Sequence, residues 1–130
     1  MLPALRGSLL GAMSSLPFIA LGVWLPYFPA VSLFAVLLGV TAGVYLGFAL
    51  HDGRWLIILA ETFFVLPFIL LAIAALSFNV HLLAIGFALH GLWDLAHHPR
   101  AVPTKLVSWY PPACLVFDWI LAAFILFYWR

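Results

Sequence analysis

The sequence predicts an all-α integral membrane protein: one domain, residues 1–130, folded as a bundle of five transmembrane helices with a cytoplasmic amino terminus. Composition is the first reason. Hydrophobic residues make up 68% of the chain and charged residues 7%, where a soluble domain carries about a quarter charged residues. Spacing is the second. Polar or proline-containing breaks cut the chain into five apolar runs, each near the roughly 20 residues that cross a hydrocarbon core. The third is charge placement, because the basic residues gather in alternate connections. A net charge of +1 with no basic patch excludes nucleic acid as a partner.

The first span covers about residues 8–25, preceded by Arg6 and ended by Pro26-Tyr27-Phe28-Pro29. Arg6, the apolar run and Ala20-Leu21-Gly22 have the layout of a signal peptide, but we read the run as a membrane span. The second span, about 30–50, ends at His51-Asp52-Gly53-Arg54. Its Gly39, Ala42, Gly43 and Gly47 give a small-residue face suited to close helix contact. The third, about 55–76, closes at Ser77-Phe78-Asn79, and the fourth, about 80–98, stops at Pro99. The fifth, about 111–129, starts at Pro111-Pro112, where proline suits a first helical turn.

Five spans put Arg6, Arg54, Arg100 and Lys105 on one side and Arg130 on the other. The positive-inside rule makes the first side cytoplasmic, in a cell inner membrane. Trp24, Tyr27, Trp55, Trp109, Tyr110, Tyr128 and Trp129 fall near span ends, as interfacial aromatic belts do. The single cysteine, Cys114, leaves no intramolecular disulfide.

Polar residues inside the spans share a depth. At about 1.5 Å rise per residue, Glu61 and Asp118 lie roughly 10 Å from the cytoplasmic end, His90 roughly 12 Å, Asp94 roughly 6 Å and Cys114 roughly 4 Å. Tyr45 reaches a similar level on the second span, while His97 and His98 stand at the interface. His90, Asp94, His97 and His98 share one helix face, and Cys114 and Asp118 share another. Charged groups at such depth face the bundle interior and pair with one another. The expectation is a polar pocket among spans two to five, open to the cytoplasm, with the first span peripheral.

Two chemistries fit this layer. His90, Asp94, His97, Glu61 and Asp118 could ligate a divalent transition metal, zinc or iron, with the Cys114 thiol favouring zinc. Alternatively, Glu61, His90, Asp94 and Asp118 act as metal-free acid–base groups. In either case Tyr45, Trp93 and Cys114 line a pocket for an apolar or lipid-like substrate, and the protein is a membrane enzyme. A proton-coupled or ion transporter, built as a homo-oligomer in the lipid bilayer, is the alternative. Against it, the outer half offers only Asn79 and His81, and no inverted repeat is visible. A plain structural account serves some residues: Asp94 and His98 can pair at a helix end, His97 and His98 can be interfacial, His51-Asp52-Gly53 a loop, Cys114 a core residue. It does not serve Glu61, His90 and Asp118, which are deep.

The run HGLWDLAHHP (90–99), followed by CLVFD (114–118), resembles an uncharacterised family of small bacterial membrane proteins, domain of unknown function 6010. Its pattern is H-x-x-W-D-x-x-H-H on one helix, then C-x-x-x-D, with a glutamate one span earlier. Tyr45-Leu46-Gly47 and Glu61 are similar to the upstream part. The likeness covers about residues 40–125 and rests on His90, Trp93, Asp94, His97, His98, Cys114 and Asp118. It implies a shared site and brings no activity with it.

Overall fold

The computed structural model describes residues 2–98 and 102–129. It is all-α: α1 (Leu2–Trp24), α2 (Tyr27–Asp52), α3 (Trp55–Ser77), α4 (His81–His97) and α5 (Tyr110–Tyr128). Of these, α1, α2, α3 and α5 are long and apolar enough to cross a membrane. With 17 residues, α4 reaches about 25 Å, less than the roughly 30 Å of a hydrocarbon core. The expected fourth span is shortened at both ends. Val80 is the residue before the helix, and His98 leaves helical geometry at φ −131°, ψ 100°.

Local chemistry sets the other boundaries. Pro26, at φ −55° and ψ 153°, separates α1 from α2. Gly53 ends α2 in the left-handed region at φ 79°, its N–H donating to the Ala49 carbonyl. His51 and Asp52, expected in a loop, therefore belong to the last turn of α2. Between α3 and α4 the Asn79 side-chain carbonyl accepts the His81 N–H at 2.9 Å, closing a short turn. Pro111 and Pro112 occupy the first turn of α5, as their missing N–H groups predict.

The two ends of the bundle differ. At one, Arg6 shares a crevice with Ser108 and Trp109, an Arg54 N–H donates to the Pro103 carbonyl at 2.6 Å, and Lys105 pairs with Asp52 at 3.3 Å. At the other, His81 Nε2 donates to the Trp129 carbonyl at 2.7 Å, and Tyr27 packs edge-on to Trp129. Arg6, Arg54 and Lys105 thus share an end, as helix alternation requires. Pro99, Arg100 and Arg130 lie outside the described residues.

Phe34 and Leu38 of α2, Leu83 and Phe87 of α4, and Leu121 and Ile125 of α5 fill the core completely buried. Outward faces are equally apolar: Phe63, Leu66, Leu70 and Ile73 of α3 are exposed, a pattern suited to lipid contact. Close helix contact comes from a different helix than expected. A Cβ on Gly7 or Gly11 of α1 would collide with the carbonyls of Trp109 and Ala113, so α1 lies directly on the start of α5. At Gly39, Gly43 and Gly47 an added Cβ meets nothing within 4 Å. The reason is that α2 turns its bulky row, Phe34, Leu38, Thr41 and Tyr45, inward, which points those glycines away.

Candidate functional site

The site is built on α4. His90, Asp94 and His97 recur at i, i+4 and i+7, which puts them on one buried face, while Leu92 and Leu95 point outward. His98 continues that phase in the sequence, yet the helix has ended there and its side chain is exposed. It takes no part in the cluster. On either side of this face stand α3, which contributes Glu61, and α5, which contributes Cys114 and Asp118. Tyr45 reaches in from α2 with no exposed surface.

The polar face of α4 is divided between these neighbours. Toward α5, the His90 Nδ1–H donates to Asp118 Oδ2 at 2.5 Å. Asp94 Oδ2 lies 3.8 Å from His90 Nδ1, and Cys114 Sγ lies 3.9 Å from that nitrogen and 3.7 Å from Asp118 Oδ2. The Tyr45 hydroxyl donates to Asp94 Oδ1 at 2.6 Å. One potential ligand atom from each of His90, Asp94, Cys114 and Asp118 falls within 4.8 Å of the others, all four residues buried. Among the described residues, His90 Nε2, Asp94 Oδ2 and Asp118 Oδ1 are buried without a hydrogen-bond partner.

These distances have chemical meaning. Ligand atoms around a tetrahedral ion with bonds of about 2.0–2.3 Å stand about 3.3–3.8 Å apart. The contacts at 3.7 and 3.8 Å have that spacing, and the one at 3.9 Å is just above it. The His90–Asp118 contact, at 2.5 Å, would have to open by about 1 Å, and the wider separations within the 4.8 Å group would have to close.

Toward α3 a second group forms. Glu61 Oε1 accepts from His97 Nε2 at 2.8 Å and from the Thr104 hydroxyl at 2.5 Å. His97 Nδ1 lies 2.9 Å from the Trp93 carbonyl, which only accepts, so this nitrogen carries a proton. The contact between Nε2 and Glu61 then holds one further proton between nitrogen and carboxyl oxygen. Tyr45 joins the two groups: its ring stacks on His97 with centroids 3.9 Å apart while its hydroxyl holds Asp94. Trp93 stacks on Phe64 at 3.8 Å and presents an edge to His97, so it walls the second group.

The residues singled out in the sequence are therefore brought to one region but in two sets. His90, Asp94, Cys114 and Asp118 form the first, and Glu61 with His97 the second. Thr104 was not anticipated. It lies in the connection between α4 and α5, is 5% exposed, and shares that segment with the Arg54–Pro103 and Lys105–Asp52 contacts. A loop threonine carries no periodicity, so nothing in the sequence marks it.

Comparison with known proteins adds a family and no activity. The model of a family of unknown function (DUF6010) matches residues 7–129, from α1 through α5. No curated protein and no solved structure matches the chain.

Proposed function

The chain belongs to the DUF6010 family, whose function is unknown, so we propose a function from the site itself: a small multi-pass membrane enzyme that holds a divalent transition metal and acts on an apolar or lipid-like substrate. The observation that carries this reading is the convergence of four buried donors, His90, Asp94, Cys114 and Asp118, within 4.8 Å. Two carboxylates in a low-dielectric interior need counter-charge, and histidine is the one group of the four that can supply it. A divalent ion answers that need, held by His90 Nδ1, Asp94 Oδ2, Cys114 Sγ and Asp118 Oδ2, of which Asp94 Oδ2 is a buried atom with no hydrogen-bond partner among the described residues. The mixture of imidazole, carboxylate and thiol suits zinc or iron better than magnesium or calcium. Such an ion polarises a substrate oxygen or activates water. Tyr45 keeps Asp94 oriented, and Glu61 with His97 is a proton-holding pair one ring away.

Membrane insertion is supported by the four long apolar helices and by the outward apolar faces. The end carrying Arg6, Arg54 and Lys105 is read as cytoplasmic. Transport through a single chain is disfavoured. Beyond the polar layer, the bundle is plugged by Phe34, Leu38, Leu83, Phe87, Leu121 and Ile125, all completely buried.

One observation favours a metal-free variant of the same enzyme. His90 is held by Asp118 through one ring nitrogen while the other has no partner, an arrangement that serves a general base. Elemental analysis of purified protein, set against a His90→Ala, Asp94→Ala double variant, decides between them. Stoichiometric metal in the parent and none in the variant is the expected result. Metal-free parent protein from metal-replete cells would sink the metal centre and leave the His90–Asp118 dyad.

A further inference from the structure

A cleft of about 320 Å³ opens between α1, α2 and α5, lined among others by Leu10, Ser14, Thr41, Tyr110, Cys114 and Phe117. Counted along the helices from the basic end, these residues lie about 0–18 Å deep, the depth spanned by the acyl chains of one leaflet around a chain that spans a bilayer. The two aliphatic hydroxyls in the lining are turned back on their own helices: Ser14 donates to the Gly11 carbonyl and Thr41 to the Leu38 carbonyl, each at 3.1 Å. The cleft therefore presents an apolar wall along its length. Its polar groups are concentrated on α5, at Tyr110 and Cys114.

Cys114 belongs both to this wall and to the four-donor group. Tyr110, a second lining residue, packs edge-on against Tyr45 at 5.6 Å, and Tyr45 holds Asp94. The cleft thus abuts the site at two points. At the basic end, by contrast, the segment from Val102 to Trp109 is tied down through Thr104–Glu61, Pro103–Arg54 and Lys105–Asp52.

We propose that this cleft is the substrate site: it admits the acyl chain of a bilayer lipid sideways, between α1 and α2, and brings the polar end of that lipid to Cys114 and the donor group. The substrate class is a membrane lipid whose reacting function lies at the first carbons of its chain. This replaces a pocket open to the cytoplasm with a lateral one, and gives α1 a role as its outer wall. What happens chemically at Cys114 rests on the enzyme reading above, whereas occupancy of the cleft by lipid does not.

The test uses the full chain in phosphatidylcholine vesicles containing a phospholipid with a diazirine near the carboxyl end of one acyl chain. After photolysis, adducts are mapped by mass spectrometry. Cys114 and Phe117 are 5% and 8% exposed, so lipid on the outer surface does not reach them. Adducts on either residue are expected, and their loss in a Leu10→Trp, Ser14→Phe variant that fills the cleft from exposed positions of α1. Adducts at Leu70, on the outer face of α3, should persist in both proteins and report an intact fold. Adducts confined to outward residues such as Leu70 would overturn the proposal, as would Cys114 adducts undiminished in the filled variant. Cleft adducts in a protein that binds no metal would keep the lipid site and remove the metal enzyme. A metal-loaded protein without cleft adducts would do the reverse.

Discussion

The Glu61 group and the His90 group occupy the same half of the bundle and are equally buried, yet they treat their hydrogen-bonding capacity in opposite ways. In the Glu61 group both ring nitrogens of His97 are engaged and Oε1 accepts twice, leaving only Oε2 over. In the His90 group the bonds are one between His90 and Asp118, one from Tyr45 to Asp94 and a weak one from the Cys114 thiol to Asp118, and three buried atoms are left without partners. Buried polar atoms are nearly always satisfied, so the unsatisfied set is the one that asks for something from outside the chain. Burial locates both groups. Unmet capacity separates a clamp from a site.

The largest expected effect breaks the clamp. Glu61→Ala leaves His97 Nε2 and the Thr104 hydroxyl buried with no acceptor, and removing one partner of a buried pair costs about 3–5 kcal/mol. Unfolding in detergent should show that loss, while the metal content of the folded fraction stays at the parent level. Loss of metal with unchanged stability would show that the two groups had been assigned the wrong way round.

A smaller effect, of different kind, is expected on the other side. Asp118→Asn removes a carboxylate from a set already short of counter-charge, so the metal-free variant should match the parent within about 1 kcal/mol. Added metal is where the two part. At about a hundredfold over its dissociation constant, a bound ion stabilises the parent by about 2.7 kcal/mol, and the variant should gain none of it. Equal stabilisation of both by the same metal in thermal melts would remove Asp118 from the ligand set.

How this contrast was hidden in the sequence is instructive. Hydropathy and helical phase are local, and they were enough to read an all-α chain, to put His90, Asp94 and His97 on one face, and to set Cys114 a turn from Asp118. The division of α4 between α3 and α5 depends on how one helix is rotated between two others, which no single-helix pattern encodes. His98 shows the limit of phase itself: it keeps the spacing, but the helix ends at His97 and the spacing stops meaning anything. The Gly39, Gly43 and Gly47 row shows another. Small residues permit close approach, and the bulky row on the opposite side of α2 decided which face turned inward. Thr104 meets a partner 43 residues away from a segment without periodicity, so only the fold reveals it.

The finest division of the comparison lies inside the clamp, between the helix pair and the connection it holds. Thr104→Val keeps the volume and removes one donor from Glu61 Oε1, which retains His97. A single hydrogen bond of this kind contributes about 1 kcal/mol net, well below the cost of deleting Glu61. The remaining ties of the connection are exposed at Arg54 and Lys105, and such surface contacts hold a segment weakly. The substitution should therefore act locally: faster amide exchange in the segment around Leu106 and Val107, a small drop in global stability, and metal content unaltered. A drop as large as that of Glu61→Ala would mean that the clamp draws its strength from the connection, and that His97 is a bystander to it.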